Sequence, residues 1–205
     1  ASFYERPGGP RACVEWSSPA PRLRMVVRAG GLKPNFAYQV VLFGREPVAA
    51  RRPARGESGQ ALASRRLGVL GRWWCDECAW NVTDAELARH IADGHRVRGY
   101  LLAGYLVTDA GGSAEAAVTV DSSYHVLWRG DQREPGRHDS SPTPHSLVRG
   151  GHGYPPDAQP RCEEVLVFAE AEPGRPHPGD VILPAGDYVL DLVLVEESFH
   201  DNQRR

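Results

Sequence analysis

The chain has 205 residues, a length that suits one large domain or a main domain carrying a small inserted module. Its 24 basic and 26 acidic side chains leave a formal charge of −2, so bulk electrostatics makes no case for nucleic acid or an anionic membrane. The hydrophobic class makes up 41% of the residues, which excludes wholesale disorder, and no apolar run has the length needed to cross a bilayer.

The chain opens on Ala1 with no charged-then-apolar leader, as expected of a mature protein after leader removal or of a trimmed chain. Leu23–Arg28 reads as a strand, Gly31-Leu32-Lys33-Pro34-Asn35 as a turn, and Ala37–Phe43 as a second strand rich in β-branched and aromatic residues. This strand, Pro-Asn turn and Tyr-containing strand is similar to the opening hairpin of immunoglobulin-like and fibronectin-like sandwiches. Lys33 is the only lysine among the 24 basic residues, a bias that reads as codon usage and not as chemistry. From Arg45 to Arg72 seven arginines face only Glu46 and Glu57, with Pro, Gly and Ser scattered between, so the segment does not read as core. Its Arg51-Arg52-Pro53-Ala54-Arg55 patch, with Arg65-Arg66, reads as a solvated loop.

Further strands are predicted at Tyr100–Thr108, Ala116–Val120, Ser123–Trp128, Glu163–Glu170 and Tyr188–Glu196, the last entered by a Pro184-Ala185-Gly186-Asp187 turn. The nearly continuous apolar run within Asp187–Val195 predicts a central strand buried on both faces. Gly130 to Pro160 is rich in Pro, Gly, Ser and His, and a loop of that length is commonly functional or mobile.

One constellation has specific spacing. Cys75 and Cys78 stand two residues apart, eleven residues follow, and His90 and His95 stand four apart. Two thiolates on a Cys-x-x-Cys turn and two imidazoles from a helix end are a donor set for tetrahedral zinc. Thr83 and Glu86 form a capping-box signature, a helix from Asp84 runs through Ala85, Leu87, Ala88 and Ile91, and Gly94 frees the backbone to bring His95 round. Residues 73–95 thus resemble a single two-Cys two-His zinc finger, and Trp73, Val82 and Leu87 stand where that family carries its core residues. No family is recognised for the rest of the chain.

The resemblance implies a structural Zn2+ held by Cys75, Cys78, His90 and His95; four protein ligands leave no open position for water, which disfavours a catalytic zinc. It would put base-contacting positions at Thr83, Glu86 and Arg89. Between Arg72 and Arg98, however, Asp76, Glu77, Asp84, Glu86 and Asp93 outnumber the four arginines, so nucleic acid is disfavoured. Trp73, Trp74 and Trp80 exceed what so small a module buries alone. They read as a weld to the sandwich, with an aromatic platform for a sugar or peptide as the alternative.

Cys13 and Cys162 are open between a disulfide and two buried free thiols. His138, His145 and His152 lie in the long loop without ligand spacing. Asp121, Ser122, Ser123 and His125 cannot converge from one strand, so no catalytic residue is assigned.

The fold expected is mainly β: an immunoglobulin-like or jelly-roll β-sandwich (1–70 and 97–205) with a zinc-finger-like insertion, β-turn plus helix, at 71–96. The function expected is a non-enzymatic, zinc-stabilised binding or assembly protein with a protein partner or self-assembly. Behind it stand a metal-dependent hydrolase with a second metal in the His-rich loop 130–160, and a nucleic-acid binder through the finger. The compartment stays open, with an exported or cell-surface setting favoured over the cytoplasm.

Overall fold

A computed structural model describes residues 9–17, 22–48, 59–130, 162–169 and 180–196. The fold is mainly β and sandwich-like. Its elements are β1 (Arg11–Ser17), β2 (Arg24–Gly30), β3 (Ala37–Gly44), α1 (Gly59–Leu70), β4 (Arg72–Cys75), β5 (Trp80–Val82), α2 (Asp84–Ala92), β6 (Val97–Val107), β7 (Ala114–Thr119), β8 (Tyr124–Gly130), β9 (Cys162–Ala169) and β10 (Leu190–Glu196). Three antiparallel sheets have the orders β1-β2-β7, β10-β3-β6-β4-β5 and β8-β9. Among the described residues no helix is long and apolar enough to cross a membrane.

The alternation of β2 sends Met25, Val27 and Ala29 inward, where they meet Tyr38, Val40 and Leu42 of β3 and Leu101 and Ala103 of β6. This apolar layer between two sheets is the main core, and apolar burial of this kind is the dominant favourable term in folding. The predicted turn at 31–35 is present, with Gly31 and Asn35 at positive φ, but it opens no hairpin. β2 and β3 lie in different sheets, so the connection arches across the sandwich. The β6–β7 connection crosses at the same end. The two arches are clipped together by Leu32 N–H to Gly112 C=O (3.1 Å) and Asn35 N–H to Asp109 C=O (3.0 Å). Thr108 reinforces the clip: its hydroxyl donates to the Lys33 carbonyl (2.6 Å) and accepts from the Phe36 amide (2.9 Å).

Two expectations need correction. Asp187–Val195 does not hold a central strand: β10 ends the five-stranded sheet and, among the described residues, pairs only with β3. From Leu190 to Val195 the side chains are half-buried except Val193, which is exposed, so a continuous apolar run here marks an edge. The second correction concerns Arg45–Arg72, which contains a packed helix. α1 turns Ala63, Ser64, Leu67 and Gly68 toward the sheet, and all four are buried. Small residues permit this close approach. A methyl on Gly99 of β6 would strike the Ser64 carbonyl and the Gly68 amide, and Ser64 Oγ accepts the Gly99 N–H (2.7 Å).

Arg66 of α1 is not simply solvated either. It donates to the Ala185 carbonyl and the Tyr188 hydroxyl and lies 5.4 Å over the Tyr188 ring, docking the helix on the turn before β10. The Arg51–Arg55 stretch lies outside the described residues.

Candidate metal centre

The finger-like segment does not hang from a linker. β4 pairs with β6 on one side and β5 on the other, so the Cys-bearing hairpin continues the five-stranded sheet. Trp73 carries the join. It is 2% exposed, packed with Val48, Cys75, Val82 and Val97, and covered by α1 at Gly68. Its indole N–H donates to the Asp84 carboxylate at the start of α2, so one side chain ties together the hairpin, the sheet and the helix. Trp74 packs on the opposite face beside Val41, Tyr100 and Leu102. Trp80 departs from the expected weld: it is 58% exposed on the edge strand β5.

The cysteines occupy a tight turn after β4. Ala79 N–H donates to the Cys75 carbonyl (2.9 Å), with Ala79 itself at φ 58°, and Cys78 N–H donates to Cys75 Sγ (3.1 Å). Two ion pairs clamp this turn to the start of β6. Arg98 donates to Asp76 through Nε (3.1 Å) and Nη2 (2.8 Å) while lying 5.0 Å over the Phe43 ring. Arg96 gives its amide (2.7 Å) and Nε (2.9 Å) to Glu77. The Arg96 side chain, with its backbone N–H, holds the Glu77 carboxyl below the usual carboxylate range.

The helix forms where its capping signal predicts. The Glu86 carboxylate accepts from the Thr83 hydroxyl (2.8 Å) and the Thr83 N–H (3.1 Å), and these bonds depress its pKa. α2 ends in a Schellman pattern: Gly94 N–H to Ile91 C=O (3.1 Å) and His95 N–H to His90 C=O (3.0 Å), with Gly94 at φ 84°. That turn brings His95 back to His90. The two Nδ1 atoms lie 3.0 Å apart, and Cys78 Sγ is 3.5 Å from His90 Nδ1 and 3.8 Å from His95 Nδ1.

One ligand atom from each of Cys75, Cys78, His90 and His95 thus lies within 4.8 Å of every other, close enough for the group to hold a metal ion. A tetrahedral ion with Zn–S near 2.3 Å and Zn–N near 2.05 Å sets its donors about 3.6 Å apart for S···N and about 3.3 Å for N···N. The Cys78 and histidine separations sit close to those values. The cysteines differ: Cys75 and Cys78 are bonded to each other as a disulfide, whereas two thiolates on one such ion stand about 3.8 Å apart. The set fits a metal in its reduced, dithiolate form.

Cys75 and His90 are buried, at 0% and 6% exposure, while Cys78 and His95 are half-buried. The centre therefore has a dry side against Trp73 and an accessible side at the turn.

The remaining candidates do not join this centre. Cys13 is free and exposed on β1, so it is not a buried thiol, and the Cys162 side chain lies outside what the structure describes. Ser123 is buried and its hydroxyl accepts the Leu102 N–H (3.2 Å), while Ser122 donates to Asp121 (3.0 Å). His138, His145 and His152 lie outside the described residues, as does the rest of 131–161. Sequence reasoning missed the Asp76–Arg98 and Glu77–Arg96 clamps, although the alternation of acids in the turn with arginines at the β6 start was there to be paired. Compared with known proteins, the chain matches no family model, no curated protein and no solved structure.

Proposed function

We propose that this chain is a non-enzymatic, zinc-stabilised binding or assembly protein in which Cys75, Cys78, His90 and His95 hold the ion in a structural role. The observation that carries the reading is the convergence of two sulfur and two imidazole donors at a turn and helix end. Such a mixed set suits zinc over the oxygen-seeking cations. With all four positions filled by protein, the ion would cross-link the β4–β5 hairpin to α2 and leave no place for a reacting water. Exposed Trp80 beside the centre and exposed Trp16 on β1 support a contact surface for a protein partner or a second copy.

Use as a nucleic-acid reader gains no support. Of the positions that would face bases, Glu86 is committed to capping Thr83 and Arg89 stands 3.9 Å from Glu86. The test is cobalt substitution of the reduced protein with sedimentation analysis. The proposal predicts the intense visible bands and thiolate charge-transfer absorption of tetrahedral Co2+, and self-association or partner capture that weakens in Trp80→Ala. A weak octahedral spectrum would overturn the metal assignment, and a strictly monomeric chain whose partner capture is indifferent to Trp80 would overturn the assembly role.

A further inference from the structure

We propose that Cys75 and Cys78 also form a peroxide-oxidisable dithiol, so that metal occupancy and disulfide are alternative states of one site; the metal half of this rests on the zinc reading above. The two states share a backbone. The cysteine Cα atoms are 5.2 Å apart, within the disulfide range, and with the bond formed Cys78 Sγ still stands 3.5 and 3.8 Å from the two histidine Nδ1 atoms. The surroundings have ties of their own in either state. The hairpin is held by β4–β6 pairing, by Asp76–Arg98 and by Glu77–Arg96, and α2 by its cap and by Trp73–Asp84.

Exposure assigns the roles. Cys75 is fully buried, whereas Cys78 is half-buried between exposed Glu77 and Ala79, so a dissolved oxidant meets Cys78 first. In the first step the Cys78 thiolate attacks one oxygen of hydrogen peroxide. The O–O bond breaks, the leaving hydroxide takes a proton to become water, and Cys78 becomes a sulfenic acid. In the second step the Cys75 thiolate attacks the Cys78 sulfur. The S–S bond forms, the S–O bond breaks, and the departing hydroxide is protonated to a second water. The pair loses two electrons, one peroxide gains them, and two protons come from solvent. Neither sulfur then remains a thiolate, so two imidazoles alone are left to hold the ion and it passes to water. A dithiol reductant reverses the change.

The experiment uses the full chain carrying Cys13→Ser, which removes an exposed competing thiol. The protein is loaded with zinc and treated with stoichiometric hydrogen peroxide, with released zinc read by a chromogenic chelator and disulfides mapped by peptide mass. The expected result is release of the bound zinc in step with a Cys75–Cys78 disulfide, and recovery of both thiols and metal on reduction. In Cys75→Ser oxidation should stop at a Cys78 sulfenic acid trapped by dimedone, while in Cys78→Ser the folded protein should leave Cys75 unlabelled. Zinc retained with both thiols intact would overturn the proposal and leave the zinc reading standing. A chain that binds no zinc yet cycles between dithiol and disulfide would overturn the zinc reading and with it the metal half of the proposal, and leave the dithiol half standing. Labelling of Cys75 in Cys78→Ser would overturn the order of attack.

Discussion

Gly68→Ala probes how α1 meets the sheet, because two opposing effects can be weighed there. Alanine is the better helix former by about 1 kcal/mol, so propensity alone predicts a gain. Packing predicts a loss. A methyl on Gly68 would run into the six-membered ring of Trp73. That ring is 2% exposed and enclosed by Val48, Cys75, Val82 and Val97, so it cannot swing aside without leaving its pocket. Overpacking a core by a methyl commonly costs about 1–3 kcal/mol. Driving the indole out is bounded by the cost of truncating a buried Trp, about 3–5 kcal/mol. The overlap is deep and the ring rigid, so the upper range applies, and after the propensity gain the net loss should be about 2–4 kcal/mol. Urea unfolding followed by far-UV circular dichroism, at matched metal loading, reads it. Adding Trp73→Leu to Gly68→Ala should relieve the overlap, making the double variant less destabilised than the sum by more than about 1 kcal/mol. A Gly68→Ala protein as stable as the parent would refute the packing of α1 against Trp73.

Three further outcomes follow from the same geometry. Arg98→Ala should destabilise the chain by about 1–3 kcal/mol, since Asp76 loses a two-bond partner and Phe43 a stacked guanidinium, and Arg98→Lys should restore little of it; chemical denaturation checks both. Glu86 has its pKa lowered in the folded state by Thr83, so its stabilisation is present above the unfolded pKa and is lost as pH falls through the folded one. Thermal melts across pH 6 to about 3 should therefore show an acid-side decline that is shallower in Glu86→Gln, and an unchanged slope would remove the cap from the account. Gly94→Ala should cost about 1 kcal/mol from its left-handed φ of 84° alone, because a Cβ there meets nothing; a larger loss in the melt would mean that His95 placement is coupled to the rest of the fold.

Seven of the strands were legible, in each case from β-branched or aromatic runs bounded by turn residues. The two shortest, β4 and β5, have four and three residues, too few to show a period of two; β4 pairs with the edge that β6 offers, and β5 with the edge of β4. β1 does alternate, with Ala12, Val14 and Trp16 on one side and Arg11, Cys13, Glu15 and Ser17 on the other, and that pattern could have been read. α1 was hidden because its buried stripe carries one large apolar residue, Leu67, among the small Ala63, Ser64 and Gly68, which serve close approach and not hydrophobic burial. β10 stands at an edge despite its apolar run because such a run speaks to the cover on a strand's two faces, not to whether both of its edges are paired.

The four-residue cluster that could hold a metal was the most legible part. Its cap, helix and C-terminal Gly94 turn are local features, and local sequence specifies them fully. The clamps and the Trp73 joint lie in the same short segment, but they are side-chain contacts between different elements, and ligand spacing alone does not encode them.

The most direct test of the central claim is metal content per chain. Protein purified under reducing conditions without added metal should carry one zinc, and Cys75→Ser should lose it along with thermal stability. A parent protein free of metal with Cys75 and Cys78 both reduced would contradict the account, as would a zinc that survives in Cys75→Ser.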